Sequence, residues 1–476
     1  MLLGIDLGTS SVKVAVMTED GSVKASASAG YPIGYPHPGW AETDPAAWWL
    51  ATRKAVMSLG AAHLEAVEAI GLSGQMHGVV LTHEDGRPSR PAILWADARS
   101  TREVDRYRRL DSKLLRRLAN PPATGMAGPT LLWLMTHEPN LYASARWALQ
   151  PKDWLRMQLT GEACGEPSDA SATLLYDFVE DGWSYEAVRE LEIRADLLPN
   201  LVASEEAAGR LTAKAAGELG LKAGIPVAAG AADTAASLLG HGVVAPGRVV
   251  LTVGTGAQMT AVRNELRPDP AMSTYVFRSV EKGQWYSMAA ILNAGLTLDW
   301  VRRLFGVEWD VLYGSIEQVP PGAGGVTFIP YLVGERIRRS DAGARACWLG
   351  LALHHGREHM LKAALEGVAF ALREAMETLE ATGISIAELN LAGGGATNQP
   401  WRQLLADALG KRLLAVDSPA GAVRGAALLA GVAAGTYTSV HETAALGPSF
   451  ELVAEPGARA EAYSALYRQF NRRSHI

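Results

Sequence analysis

Leu2-Leu3-Gly4-Ile5-Asp6-Leu7-Gly8-Thr9-Ser10-Ser11-Val12-Lys13-Val14-Ala15-Val16 opens the chain with an apolar run, a Gly-Thr-Ser corner and an alternating run. Short apolar or alternating runs bounded by glycine read as strands joined by a tight turn. Glu19-Asp20-Gly21 then turns the chain into a third strand through Ser22-Val23-Lys24-Ala25. The same grammar returns at Arg248-Val249-Val250-Leu251-Thr252-Val253-Gly254-Thr255-Gly256-Ala257-Gln258-Met259-Thr260-Ala261-Val262. Two such hairpins about half a chain apart predict two α/β domains of similar plan. We place them at 1–243 and 244–476, with His241 to Gly247 as the connector.

The elements between the hairpins fit that plan. Helices are expected over Asp44 to Leu59, Leu131 to Glu138, Leu361 to Thr382, Gln399 to Leu409 and Arg424 to Ala434. Short buried strands are expected at Ala69 to Ser73 and Leu389 to Ala392. At 476 residues the chain exceeds one ordinary core, and 48% hydrophobic with 20% charged residues is the balance of a compact fold. A net charge of −6 with no Lys/Arg run argues against a nucleic-acid partner. No apolar run reaches the ~18 to 20 residues needed to cross a bilayer. Asp6 interrupts the amino terminus at once, so no signal peptide is expected. Two cysteines, Cys164 and Cys347, offer no zinc spacing or disulfide framework, and a reducing, cytoplasmic location is expected.

Three glycine corners could receive phosphate or nucleoside groups: Gly8-Thr9-Ser10, Gly254-Thr255-Gly256 and Gly393-Gly394-Gly395. Glycine permits a tight turn whose N–H groups point at anionic oxygens, and a Thr or Ser hydroxyl adds a donor. Singly each is weak, but their order along the chain resembles the actin-like ATPase plan shared by sugar kinases, actin and heat-shock chaperones. No Walker A lysine accompanies them. Asp6, at a strand end before the first corner, suits Mg²⁺ held directly or through water, or else simply shapes the turn. Asp233, in Gly230-Ala231-Ala232-Asp233-Thr234, opens an Ala-rich helix. It reads either as a helix cap or as a carboxylate that accepts a proton from a nucleophilic hydroxyl. Gln75-Met76-His77 and Trp95-Ala96-Asp97 mix hydrogen-bonding groups with flat apolar faces, as polyol recognition requires.

These residues closely resemble the FGGY family of carbohydrate kinases, and within it the xylulose kinase group. The match runs nearly end to end through Ile5–Ser10, His37-Pro38-Gly39-Trp40, Asp44-Pro45, Trp48-Trp49, Gly74–Gly78 and Pro151-Lys152-Asp153-Trp154. It continues through Ser168-Asp169-Ala170, the Asp233 segment, Gly334-Glu335-Arg336, Ala346–Leu351, His359-Met360 and Ala363–Glu366. The resemblance implies two actin-like (ribonuclease H-like) domains around a cleft, and transfer of phosphate from ATP to D-xylulose. It implies Asp233 as the base, and Asp6 with Asp233 at Mg²⁺, partly through water. Gln75, Met76, His77, Trp95 and Asp97 would meet the sugar. Gly8, Thr9, Ser10, Gly254, Thr255, Gly394, Gly395, Ala396 and Asn398 would hold the nucleotide. A homodimer is a family-based expectation.

Three positions depart from the xylulose kinase pattern: Thr130 after Pro129, Ala96 before Asp97, and Ile337-Arg338-Arg339. They leave ribulose, gluconate or an arabinitol-like alditol open as the acceptor. A non-transferring ATPase or a sugar sensor is the reading from another class. Asp233→Ala is expected to abolish phosphoryl transfer while ATP binding, measured by calorimetry, stays largely intact. Near-normal turnover in that variant would remove Asp233 from the role of base.

Overall fold

Each run of the opening hairpin forms a strand. In the computed structural model, which describes residues 1–334, 345–416 and 420–473, β1 (Leu2–Leu7) pairs antiparallel with β2 (Ser11–Met17), and β3 (Val23–Gly30) adds to β2. Helix α1 (Pro45–Met57) packs on β2 and β3. The Asp44 carboxylate accepts the Ala46 N–H at 2.9 Å and Pro45 sits in the first turn, the two signals that start a helix there. Strand β4 (Ala69–Gly74) lies parallel to β1. After β5 (Ala207–Arg210), β6 (Pro226–Ala228) and then β7 (Ala231–Ala232) both pair in parallel with β4. The sheet order is β5-β6-β4-β1-β2-β3.

The second sheet repeats the pattern. Strands β8 (Val249–Val253) and β9 (Ala257–Arg263) form the antiparallel hairpin, with β10 (Tyr275–Arg278) and β11 (Trp285–Ile291) extending it. Strand β12 (Glu388–Ala392) runs parallel to β8, as β4 does to β1, and β13 (Arg412–Val416) and β14 (Phe450–Ala454) complete the sheet. This is the two-domain α/β plan expected from the repeated hairpin. Glu335, Arg336 and Ile337–Arg339 lie outside the described residues. Among the described residues, no helix is long and apolar enough to cross a membrane.

Helix α2 (Pro151–Thr160), the short α3 (Pro167–Ala170) and α4 (Asp233–Gly240) belong to the first half. The long helix of the second half, α5 (Arg357–Ala381), starts before the expected Leu361. His359 Nδ1 accepts the Gly356 N–H at 3.1 Å and supports one more turn. Helix α6 (Gln399–Leu409) has the expected bounds.

Helix α7 (Gly421–Ala433) comes late in the chain, yet it packs on β1, β4 and α4 of the first sheet. Glycine makes this possible. A Cβ on Gly71 would lie 1.9 Å from the Ala426 carbonyl oxygen, and one on Gly4 would lie 2.1 Å from that of Val423. On the other side, a Cβ on Gly425 would meet the Ala236 carbonyl oxygen at 1.9 Å. Backbone therefore touches backbone along the whole seam. Arg424 and Tyr437 extend it to the first hairpin, donating to the carbonyls of Gly21 (2.7 Å) and Glu19 (2.8 Å).

Such a seam cannot absorb a methyl group without moving the helix. Gly425→Ala is expected to lower unfolding free energy by about 3 kcal/mol, the upper range for overpacking, read as a reduced denaturation midpoint. An unchanged midpoint would mean that α7 has slack against α4.

Candidate active site

Asp6 lies near the end of β1, where the register sets Ser73 of β4 on one side and Lys13 of β2 on the other. The Ser73 hydroxyl donates to its carboxylate at 3.1 Å. Burial raises the acid's pKa above the usual carboxylate value, while Ser73 and the Lys13 charge oppose the rise. Ser73 is also the β4 partner of Ala231 in β7, so β7 lies two strand spacings from β1, about 10 Å. Asp233 follows β7 directly.

Asp233 does not cap α4. Ala232 occupies the cap position with no side-chain cap, and Asp233 is the first residue of the helix, half-buried at its positive end. Its Oδ1 accepts the Thr234 hydroxyl at 3.1 Å. Burial, and then the negative charge of Asp6, push its pKa up to about 7, against opposing hydrogen bonds from Thr234. The cap reading of the sequence therefore gives way to a carboxylate poised near neutrality in the field of a second one.

The polyol-type residues sit beside it. His77 has a φ of 71°, a left-handed backbone uncommon outside glycine, and its Nδ1 lies 2.7 Å from the Ala172 carbonyl oxygen. Because a carbonyl only accepts, Nδ1 carries the proton, and in the neutral ring Nε2 is an acceptor. Met76 is buried, and the Tyr286 hydroxyl lies 3.8 Å from its sulfur. The Gln75 side chain is buried and reaches back to the Gly8 carbonyl at 3.4 Å. Trp95 is 41% exposed and donates from its indole N–H to Thr9 Oγ1 at 3.0 Å, tying this side of the site to the first glycine turn. Asp97 is not brought to the open site. Its buried carboxylate accepts the Ala41 N–H at 2.7 Å and Arg99 donors at 2.7 and 2.9 Å. Arg99 in turn stacks over Trp40, its guanidinium carbon 3.6 Å from the ring centroid.

The second and third glycine turns lie side by side, and the first follows the strand that carries Asp6. Parallel pairing of β8 and β12 sets Gly393 beside the end of β8, where a Cβ on Gly393 would lie 2.6 Å from the Val253 carbonyl oxygen. The Gly254–Gly256 tip is exposed and braced by the Leu296 N–H donating to the Thr255 carbonyl at 2.7 Å. Gly8 N–H donates to the Ser11 carbonyl at 3.0 Å, closing the first turn and leaving Ser10 exposed. Gly394 has open space around it, and Gly395 and Ala396 continue the same short turn. Asn398 Oδ1 is engaged in capping α6, accepting the Trp401 N–H at 3.1 Å. Between the sheets, a space of about 130 Å³ is lined by Asp6, Lys13, Thr252, Gly393 and the first residues of α7.

Lys13, Phe277 and Tyr286 were missed in the sequence. Lys13 was recoverable, since the hairpin register pairs it with Asp6. Phe277 and Tyr286 carry no local signal. They lie on β10 and β11 of the second sheet but reach the first half of the chain, with the Phe277 ring 6.0 Å from His77 and 5.4 Å from Tyr286.

The raised pKa of Asp233 has a signed consequence for stability. An acid that ionises near 3.8 when unfolded and at about 7 when folded costs stability progressively as pH rises between those values, and in full above them. Asp233→Asn is therefore expected to gain stability over the parent chain from pH 4 towards pH 7, then level off. Denaturation midpoints across pH 4 to 8 test this, and a pH-independent difference would place the carboxylate in an ordinary environment.

Comparison with known proteins gives one answer for the whole length. Residues 1–240 match the N-terminal domain of the FGGY family of carbohydrate kinases, and residues 249–434 match its C-terminal domain. Xylulose kinase of Escherichia coli (strain K12) is 36% identical over 447 residues, covering 93% of this chain and 92% of that protein. The crystal structure of a xyloylose kinase from Brucella ovis superposes with a TM-score of 0.93 at 35% identity, covering 99% of this chain and 98% of that one. A more distant relative, gluconokinase of Bacillus subtilis (strain 168), is 28% identical over 454 residues, covering 92% of this chain and 88% of that protein. The chain belongs to the FGGY family of carbohydrate kinases.

Proposed function

We propose that this chain transfers the γ-phosphate of ATP to D-xylulose, giving ADP and D-xylulose 5-phosphate, with Asp233 as the general base. The observation that carries the site assignment is the position of Asp233, between a cup of Met76, His77 and Tyr286 and a cleft lined by glycine turns. The choice of sugar is supported by similarity over nearly the full chain to proteins named xylulose kinases. Met76 packs on the carbon face of the sugar, and His77 and Asp233 take its hydroxyls. Trp95 closes one wall. Asp97 acts indirectly, fixing the loop that carries Trp95.

On the nucleotide side, the N–H groups of Thr9 and Ser10, with that of Thr255, face the phosphates, while Gly8 and Gly254 shape the two turns by donating to the Ser11 and Gly256 carbonyls. Gly394, Gly395 and Ala396 leave room for the adenosine, and Asn398 holds that turn by capping α6. Lys13 and the N-terminus of α7 add positive potential at the cleft floor. Magnesium fits here. Asp6 and Asp233 are both pushed toward protonation in a cleft that would gain from a cation. Among the described residues no group of three or more His, Cys, Asp or Glu gathers. One carboxylate with water and phosphate oxygens is the arrangement magnesium favours. Asp6 would hold it, Asp233 partly through water, and the bound ion would neutralise phosphate charge.

The residues then divide the work. His77 and Met76 orient the sugar, the glycine turns hold the nucleotide, and Asp233 accepts the hydroxyl proton as the oxygen attacks phosphorus. Because phosphoryl transfer depends on positioning and charge neutralisation, a base that titrates near neutrality is well matched.

An ADP-release screen across ketoses, aldoses, alditols and sugar acids tests the reading. D-xylulose is expected to give the highest kcat/KM, and His77→Ala to reduce it by about 10- to 100-fold, the scale of one lost polar contact of ~1 to 3 kcal/mol. Preference for ribulose, gluconate or an alditol would reassign the sugar and keep the kinase. ADP release independent of every sugar would point to the non-transferring ATPase, and sugar binding without turnover to a sensor.

A further inference from the structure

The segment that delivers Asp233 pairs with β4 only at Ala231 and Ala232 and has no large side chain of its own to hold it. Strand β6 ends at Ala228 and β7 begins at Ala231, so the chain bends between them, with Gly230 at a φ of +82° and its α-carbon face against the Leu72 carbonyl. Ala229 to Ala232 are small residues with no side chain able to lock the bend. Its backbone polar groups are buried and need partners.

Those partners come from α2 and α3, which carry the two motifs left without a direct role in the chemistry, Pro151–Trp154 and Ser168–Ala170, and from the backbone of Ser204 and Glu206. Arg156, fully buried on α2, donates to the Ala229 carbonyl at 2.5 Å. The Ser168 hydroxyl accepts the Ala232 N–H at 2.9 Å and donates to Glu166 Oε1 at 2.8 Å. Ser204 accepts the Gly230 N–H through its carbonyl at 3.0 Å, and its hydroxyl donates to Glu166 Oε2 at 2.8 Å. The Ala229 N–H donates to the Glu206 carbonyl at 2.8 Å, and Glu166 thus stands behind two of the four attachments. It also accepts the N–H groups of Ser168 and Asp169 at 2.8 Å each. Lys152 Nζ lies 2.6 Å from Asp153, 3.3 Å from Asp169 and 3.5 Å from Glu166, and Arg156 lies 2.8 Å from Asp153. All five charged groups are buried.

A buried charge cluster of this kind contributes little net stability, because desolvation offsets most of its Coulomb attraction. Its geometry is what it supplies. Donors and acceptors in fixed places grip a bend that the apolar core cannot grip. The same motif reaches the other side of the sugar cup, since Ala172, just after α3, holds the His77 ring.

We propose that Ser168 and Arg156, anchored through Glu166 and Asp153, are positioning residues that aim the Asp233 carboxylate, a role that rests on Asp233 being the base. Neither touches sugar or nucleotide. Loss of the Ser168 hydroxyl frees the Ala232 N–H and loosens the residue immediately before Asp233.

The test compares Ser168→Ala, Ser168→Thr and Asp233→Ala with the parent enzyme, using ATP and D-xylulose and measuring kcat and both KM values. Ser168→Ala is expected to lose about 10- to 100-fold in kcat with each KM within about threefold, as misplacement of a catalytic group by an ångström or less would produce. Ser168→Thr, which restores the hydroxyl, is expected to recover most of kcat. A Ser168→Ala enzyme with unchanged kcat and only a lower Tm would overturn the proposal and leave a structural role. If Ser168→Ala does not fold, Arg156→Lys is read in the same way, since it keeps the charge and loses the reach to Ala229. An inactive Asp233→Ala beside a fully active Ser168→Ala would retain the base and reject the positioning. An active Asp233→Ala would reject the base itself.

Discussion

The carbonyl oxygens of α7 occupy the space where side chains of Gly4 and Gly71 would stand, and Gly425 lets α4 approach as closely from the other side. Much of the molecule follows from that contact. It returns the late part of the chain to the first sheet and places the N-terminus of α7 at the cleft floor, beside Asp6 and Lys13. Side-chain packing tolerates small adjustments, but a backbone-to-backbone seam does not. Further attachments, from Arg424 to Gly21 and from Tyr437 to Glu19, hold the first hairpin to the same seam. The late part of the chain is thereby packed tightly onto the first sheet, along the cleft where phosphate chemistry is proposed.

Beside that seam, within the first half, the chain accepts an electrostatic cost. Asp6 and Asp233 stand in one poorly hydrated cleft, and each is pushed toward its neutral form. Folding alone gives no reason to keep them together. A substrate-bearing cation would turn this repulsion into attraction, which is why the pair fits phosphoryl transfer better than a structural role. Behind Asp233, three buried carboxylates face Lys152 and Arg156. There Lys152 and Arg156 offset part of the cost, burial still pushing the Asp169 carboxyl up against Lys152, and the ordered donors hold a bend made of alanine and glycine.

The sugar cup is a joint product of both sheets. Met76 and His77 come from the loop after β4, while Tyr286 and Phe277 arrive from β11 and β10. If this cup holds the sugar as proposed, selectivity among polyols depends on how the sheets meet as well as on the loop itself. The sequence departure at Ala96 lies on an exposed residue next to Trp95, at the rim, whereas Thr130 is buried in the helix spanning Ala127–His137. Ala96 is thus the better placed of the two to tune which sugar enters.

The repeated hairpins, the glycine turns and the presence of the helices were legible because each depends on neighbours within a few residues, although the helices starting at Ala127, Arg357 and Gly421 each begin three or four residues before the expected start. Apolar alternation, Asp-Gly and Gly-Thr corners and the Asp44-Pro45 start are local signals with local physical causes. The same reading put Asp6 at a strand end and Asp233 at a helix start, but it could not tell a cap from a base. Asp97 shows the opposite limit. Its chemistry suited a sugar, yet Arg99 and the Ala41 N–H claim its oxygens. The sequence by itself determined two α/β domains with three glycine turns and two well-placed carboxylates. Only the tertiary structure decided that α7 returns to the first sheet, that Phe277 and Tyr286 reach the Met76–His77 loop, and that Glu166, Ser168 and Arg156 hold the bend before Asp233. Those contacts join residues tens to hundreds of positions apart, and their geometry depends on burial and register that no local pattern encodes.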